Sequence, residues 1–110
     1  MRRLRNFDID HREKVFEALT RFVKQLKATL PVKEIYLYGS FATGEIHEMS
    51  DIDLIIVGDF HGRMFDRIDQ VTRLTDLPVE PLVYREEEFQ RKIEADNPFL
   101  KEILKTAKKL

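Results

Sequence analysis

Apolar residues recur at helical spacing between Asp10 and Ala28, where Val15, Phe16, Leu19, Phe22, Val23 and Leu26 share one face. This spacing predicts an amphipathic helix, with Asp10 as N-cap and Glu13 as its capping-box partner. Pro31 blocks its continuation. Glu34 to Tyr38 then reads as a short strand ending at Gly39, and Ser40 to about Ile46 as a short helix capped by the serine. The run Ile52 to Val57 is mostly apolar, the pattern of a strand covered on both faces, and Gly58 to Gly62 makes a turn. From Arg63 to about Thr75 the period is helical again, with Met64, Ile68, Val71 and Leu74 on one side. Val79 to Tyr84 is a third strand, which Pro81 confines to an edge or makes irregular. Two helices, Arg85 to Ala95 and Pro98 to Lys108, complete the pattern. Strands separated by helices give an α/β sandwich around a small mixed sheet.

With 110 residues the expectation is one domain, residues 1–110, with a single core. No Ser-, Pro- or Gly-rich linker and no internal repeat divides it. A net charge of −1 argues against a broad polyanion-binding surface, so an extended nucleic-acid interface is not expected. The absence of cysteine excludes disulfides and thiolate metal sites. No apolar run approaches the ~18 residues of a membrane span. The basic start Met1-Arg2-Arg3-Leu4-Arg5 lacks the apolar core of a secretory signal, so a cytoplasmic location is expected.

The chemistry concentrates between Gly39 and Leu54. A Gly39-Ser40 turn opening a helix presents backbone N–H groups to an anion such as phosphate. Asp51 and Asp53, at i and i+2 on a strand, project to one face roughly 7 Å apart, given about 3.3 Å rise per residue. Two like charges on one face repel unless something positive lies between them, and paired carboxylates suit a hard cation such as Mg²⁺. Either half alone is commonplace; together they describe a site for a triphosphate and the metal that neutralises it.

The sequence Gly39-Ser40, then Gly44, then Ser50-Asp51-Ile52-Asp53-Leu54 resembles that of the polymerase-beta-type nucleotidyltransferases, in particular their minimal nucleotidyltransferase (MNT) branch. The resemblance runs from about Val32 to the C-terminus, more softly over Asn97 to Leu104. It implies the polymerase-beta-like fold, an ATP or other NTP substrate, and one or two Mg²⁺ ions held by Asp51, Asp53 and a third carboxylate. Glu80, inside the apolar strand, is the candidate for that third group. An aspartate is commoner there, and the longer glutamate leans towards a general base that takes the acceptor's proton. Gly39 and Ser40 would bind the β- and γ-phosphates, while Ser50 orients Asp51 by a turn hydrogen bond. Lys33, Arg63 and Arg67 are the basic candidates for the leaving pyrophosphate; His47 could touch phosphate but reads more simply as a solvated loop residue. Glu45 and Glu48 crowd the phosphate path with negative charge.

Phe16, Phe22, Phe65, Phe89 and Phe99 read as packing residues, as do Tyr36, Tyr38 and Tyr84, although any of the tyrosines could reach a nucleobase. The chain ends soon after its third strand, so the acceptor platform is expected from a partner or a second copy in a homodimer. The resemblance implies an all-helical HEPN (higher eukaryotes and prokaryotes nucleotide-binding) protein, with AMP moved from ATP to a partner tyrosine and the chain acting as antitoxin. The alternative is a catalytically weak antitoxin that neutralises its partner by binding alone. A small-molecule nucleotidyltransferase and a nucleic-acid polymerase fit less well, since no second domain is expected to complete a substrate pocket and neither a basic stripe nor a duplex-binding domain is evident.

Overall fold

A computed structural model describes residues 9–46 and 50–110, with side chains of the first helix from Arg12 onward. The element order is α1 (Ile9–Thr29), β1 (Val32–Tyr38), α2 (Ser40–Thr43), β2 (Ile52–Gly58), α3 (Met64–Thr72), β3 (Val79–Arg85), α4 (Glu86–Glu94), α5 (Pro98–Ile103) and β4 (Lys108–Lys109). Asp10 lies inside α1, which already includes Ile9, so it is not the N-cap that the spacing predicts; His47 and Glu48 lie outside the described residues.

The four strands form one sheet in the order β3-β2-β1-β4. β1 pairs antiparallel with β2 and β4, while β2 and β3 run parallel, so the sheet is mixed as expected. β2 lies inside it, and Ile52, Leu54, Ile55, Ile56 and Val57 are all buried, which explains the unbroken apolar run. β3 is the outermost strand on its side, the place where Pro81 is tolerated.

One sheet face carries Ile35, Leu37, Ile52, Leu54, Ile56 and Val83 against Leu19, Phe22, Val23 and Leu26 of α1 and Val71 of α3. These helical residues are the ones the period predicts. The opposite face carries Ile55, Val57 and Tyr84, covered by Phe89 of α4 and Leu100 of α5. Because side chains alternate along a strand, Asp51 and Asp53 share this second face with Ile55. The first face is covered by the long helices, and the second only partly by the short ones, which leaves room for a site at its edge.

Three further expectations are corrected. α2 stops at Thr43, because Gly44 adopts φ 90° and its N–H closes the turn on the Ser40 carbonyl. The last helix stops at Ile103, and Lys108–Lys109 instead pair with β1, followed by Leu110 N–H donating to the Ile35 carbonyl at 2.8 Å. Without that strand β1 would leave an open row of backbone donors and acceptors, and lysines are common guards of such an edge. Phe65 (79% exposed) and Phe99 (46% exposed) are not packing residues, although Phe22 and Phe89 are buried and Phe16 packs against the core.

Candidate active site

The strand register assembles the site. Tyr38, the last residue of β1, faces Asp53 of β2, and Asp53 faces Glu80 of β3. Neighbouring strands lie about 4.8 Å apart, so Tyr38, Asp53 and Glu80 form one row across the sheet. Asp51 precedes β2 on the same face. The aspartate pair follows from local periodicity; its meeting with Glu80 follows from the parallel register of β2 on β3.

The carboxylates press on one another. Desolvation, then the charge of Asp51, hold the Asp53 carboxyl above its ordinary range. Glu80 is exposed, and its carboxyl is also raised, first by the charge of Asp51, then by desolvation, a hydrogen bond with Asp51 and the charge of Asp53. Tyr38 feels the same field: burial and then the negative charge of Asp53, Tyr84 and Glu80 push its hydroxyl up to about 12. Among the described residues, none of the ion pairs involves Asp51, Asp53 or Glu80. The set is short of positive charge, and all its donors are carboxylate oxygens, the chemistry a hard divalent cation prefers.

No three His, Asp or Glu side chains among the described residues stand in a ready-made cage for an ion. Mg²⁺ is usually bound by one or two carboxylates together with substrate phosphates rather than by an all-protein cage. The carboxylate oxygens of Asp51, Asp53 and Glu80 are a donor set that fits such an ion.

Gly39 joins the two halves of the motif. Its backbone (φ 74°, ψ −154°) occupies a region essentially reserved for glycine. A Cβ there would collide with the Asp53 carboxylate, its Cγ only 3.2 Å away. The turn therefore closes directly against the second aspartate, and Ser40 follows as the first residue of α2. The Gly39 carbonyl accepts from the N–H groups of Ala42 and Thr43 (3.0 and 3.1 Å), which fixes the turn. Ser50 is half-buried next to Asp51, and Glu45 is exposed.

The basic residues do not assemble here. Lys33 is the second residue of β1, five residues or about 16 Å from Tyr38 at ~3.3 Å per residue, and Arg63 caps α3 beyond the far end of β2. Arg67 is buried (4% exposed) and donates to the Gly62 carbonyl (2.9 Å), the Val83 carbonyl (3.1 Å) and Glu88 (2.7 Å). It ties α3, β3 and α4 together and is a structural group, not a phosphate ligand. Glu88 is held below the ordinary carboxylate range, chiefly by its hydrogen bond with Arg67, and it also accepts from the Arg85 N–H at 2.9 Å, capping α4. Nothing in the run Glu86-Glu87-Glu88 marks which glutamate does this, since the choice depends on where α3 packs.

Residues 19–109 match the family described as Nucleotidyltransferase domain. The chain belongs to this nucleotidyltransferase family. A protein of Methanocaldococcus jannaschii with the provisional name protein adenylyltransferase MJ0604 is 40% identical over 83 residues, covering 70% of this chain and 80% of that one. A second protein of the same archaeon, provisionally named protein adenylyltransferase MJ1215, is 45% identical over 40 residues, 36% of this chain and 46% of that protein. A crystal structure of a provisionally assigned nucleotidyltransferase from Sulfolobus solfataricus superposes with a TM-score of 0.62 at 27% identity, covering 76% of this chain and 78% of that chain. The polymerase-beta-like α/β fold and nucleotidyltransferase activity stand on these likenesses and on the mixed sheet. No helix among the described residues is long and apolar enough to cross a membrane.

Proposed function

We propose that this nucleotidyltransferase is a Mg²⁺-dependent protein adenylyltransferase that moves AMP from ATP to a hydroxyl of a partner protein. The row Tyr38–Asp53–Glu80, closed by Gly39 against Asp53, is the observation that carries the reading. The name of the 40% identical archaeal relative supports a protein as acceptor. The more specific form is that of the MNT branch, in which the acceptor is a tyrosine of a HEPN-type helical partner and the chain serves as its antitoxin.

Asp51 and Asp53, with Glu80 beside them, would hold the Mg²⁺ ions, which neutralise phosphate charge and polarise the α-phosphorus. Gly39 and Ser40 receive the β- and γ-phosphates, the glycine allowing the backbone to approach them closely. Glu80 is the exposed member of the row, open to an incoming acceptor, which suits a general base. The acceptor oxygen attacks the α-phosphorus in line, the bond to the β-phosphate oxygen breaks, pyrophosphate leaves, and the hydroxyl proton passes to Glu80. Catalysis rests on positioning and electrostatics rather than on a covalent intermediate.

The test is incubation with α-³²P-labelled ATP, CTP, GTP or UTP, Mg²⁺ and the product of the neighbouring gene, with Asp51→Ala/Asp53→Ala as control. Label on the partner, strongest from ATP and absent in the control, is expected. A tight complex without label would replace this reading with neutralisation by binding alone.

A further inference from the structure

We propose that Phe99, in a T-shaped contact with Tyr38 at the lip of the carboxylate row, is the stacking face for the base of the nucleoside triphosphate. The inference rests on the nucleotide reading above and names what holds the other end of that substrate.

Phe99 is exposed in a rigid setting. Pro98 occupies the first turn of α5, the Asn97 side chain accepts from the Leu100 N–H at 3.1 Å, and Leu100 beside it is buried. The helix start is pinned on both sides while the phenyl ring remains 46% exposed. Its centroid lies 6.1 Å from that of Tyr38 with the planes at 88°, a T-shaped contact that holds the residue while leaving it partly open.

Position supplies the second argument. Tyr38 is the cross-strand partner of Asp53, so the aromatic surface starts one strand spacing, about 5 Å, from the metal-binding carboxylate. A ribose separates a base from its α-phosphate, so a phosphate held at Asp51 and Asp53 leaves the base a short step away. The other rings on this face are taken. Phe89 packs on Tyr36 and Tyr84 with centroids 6.0 and 5.9 Å apart, and Tyr84 and Phe89 are both buried. Phe65, still more exposed, is on α3, the helix that covers the opposite face.

Stacking on an aromatic side chain tolerates every base, and its loss weakens binding by about tenfold or more per base. Titration calorimetry with Mg²⁺ compares ATP with inorganic tripolyphosphate on wild type, Phe99→Ala and Phe99→Trp. Phe99→Ala should bind ATP about tenfold more weakly and tripolyphosphate as well as wild type does, with KM raised more than kcat is lowered. Phe99→Trp should restore ATP affinity and show quenching by ATP but not by tripolyphosphate. Unchanged ATP affinity in Phe99→Ala overturns the proposal, as does equal loss of both ligands, or an increase confined to the KM of the protein acceptor. Wild type that binds neither ligand removes the nucleotide reading, and this inference with it.

Discussion

Gly39→Ala separates conformational strain from damage to the site. The residue sits at φ 74°, ψ −154°, where a side chain costs about 1–3 kcal/mol. For a domain near this size that amounts to about 4–8 °C of melting temperature per kcal/mol. The new Cβ also occupies the place of the Asp53 carboxylate, whose own Cβ would lie 3.5 Å away. Since Asp53 is only half-buried, its carboxylate can swing aside, so packing adds little to the stability loss. The cost to function is larger: an ångström of misplacement at a carboxylate of the proposed metal site is expected to lower transfer by about 100-fold. Gly44→Ala is the internal control. Its φ is 90° but a Cβ there meets nothing within 4 Å, so it should lose about 1–2 kcal/mol and keep its activity per folded molecule. Thermal melts give the first quantity, and nucleotidyl transfer with Mg²⁺-dependent ATP binding gives the second. If the two alanine variants lose activity equally once corrected for the folded fraction, the contact between Gly39 and Asp53 does not position the carboxylate, and the reasoning fails.

Asp53 and Glu80 bind protons more tightly folded than unfolded, so their contribution is present in full below the ordinary values of 3.8 and 4.5 and fades as pH rises through the raised folded values. Metal-free wild type should therefore lose stability with rising pH in the window opening there, and Asp53→Asn/Glu80→Gln should flatten the loss in urea titrations; an identical slope would contradict the mutual repulsion. Glu88 behaves oppositely: its lowered folded value gives stability that is present above the ordinary 4.5 and lost on acidification. Glu88→Ala strands the buried Arg67 guanidinium, which keeps only the Gly62 and Val83 carbonyls, and should cost about 3 kcal/mol in denaturant titrations. Nucleotide binding per folded molecule should survive, because that pair lies at the other end of the sheet. Lys33→Ala and Arg63→Ala should leave stability within about 0.5 kcal/mol and transfer rates unchanged; a marked fall in either rate would return these residues to the phosphate path.

What the sequence determined was whatever depends on neighbours along the chain. A 3.6-residue period gave α1 within one residue of its observed ends at both sides, and an unbroken apolar run marked β2 as covered on both faces. The i, i+2 spacing placed Asp51 and Asp53 on one face whatever the rest of the fold does. What only the tertiary structure decided were pairings between distant segments. The parallel register of β2 on β3 sets Glu80 opposite Asp53, where a one-residue slip would turn it to the other face. The packing of α3 on β3 buries Arg67 against Glu88, although its charge alone suggested a phosphate ligand. The open edge of β1 draws in Lys108–Lys109, although the sequence pattern ran the last helix on to Lys108. Phe99 has the same period as a core residue, but α5 is too short to cover it, and its neighbour Leu100 takes the buried place. Periodicity fixes which face of an element is apolar; only the assembled sheet decides what that face, and each charge near it, meets.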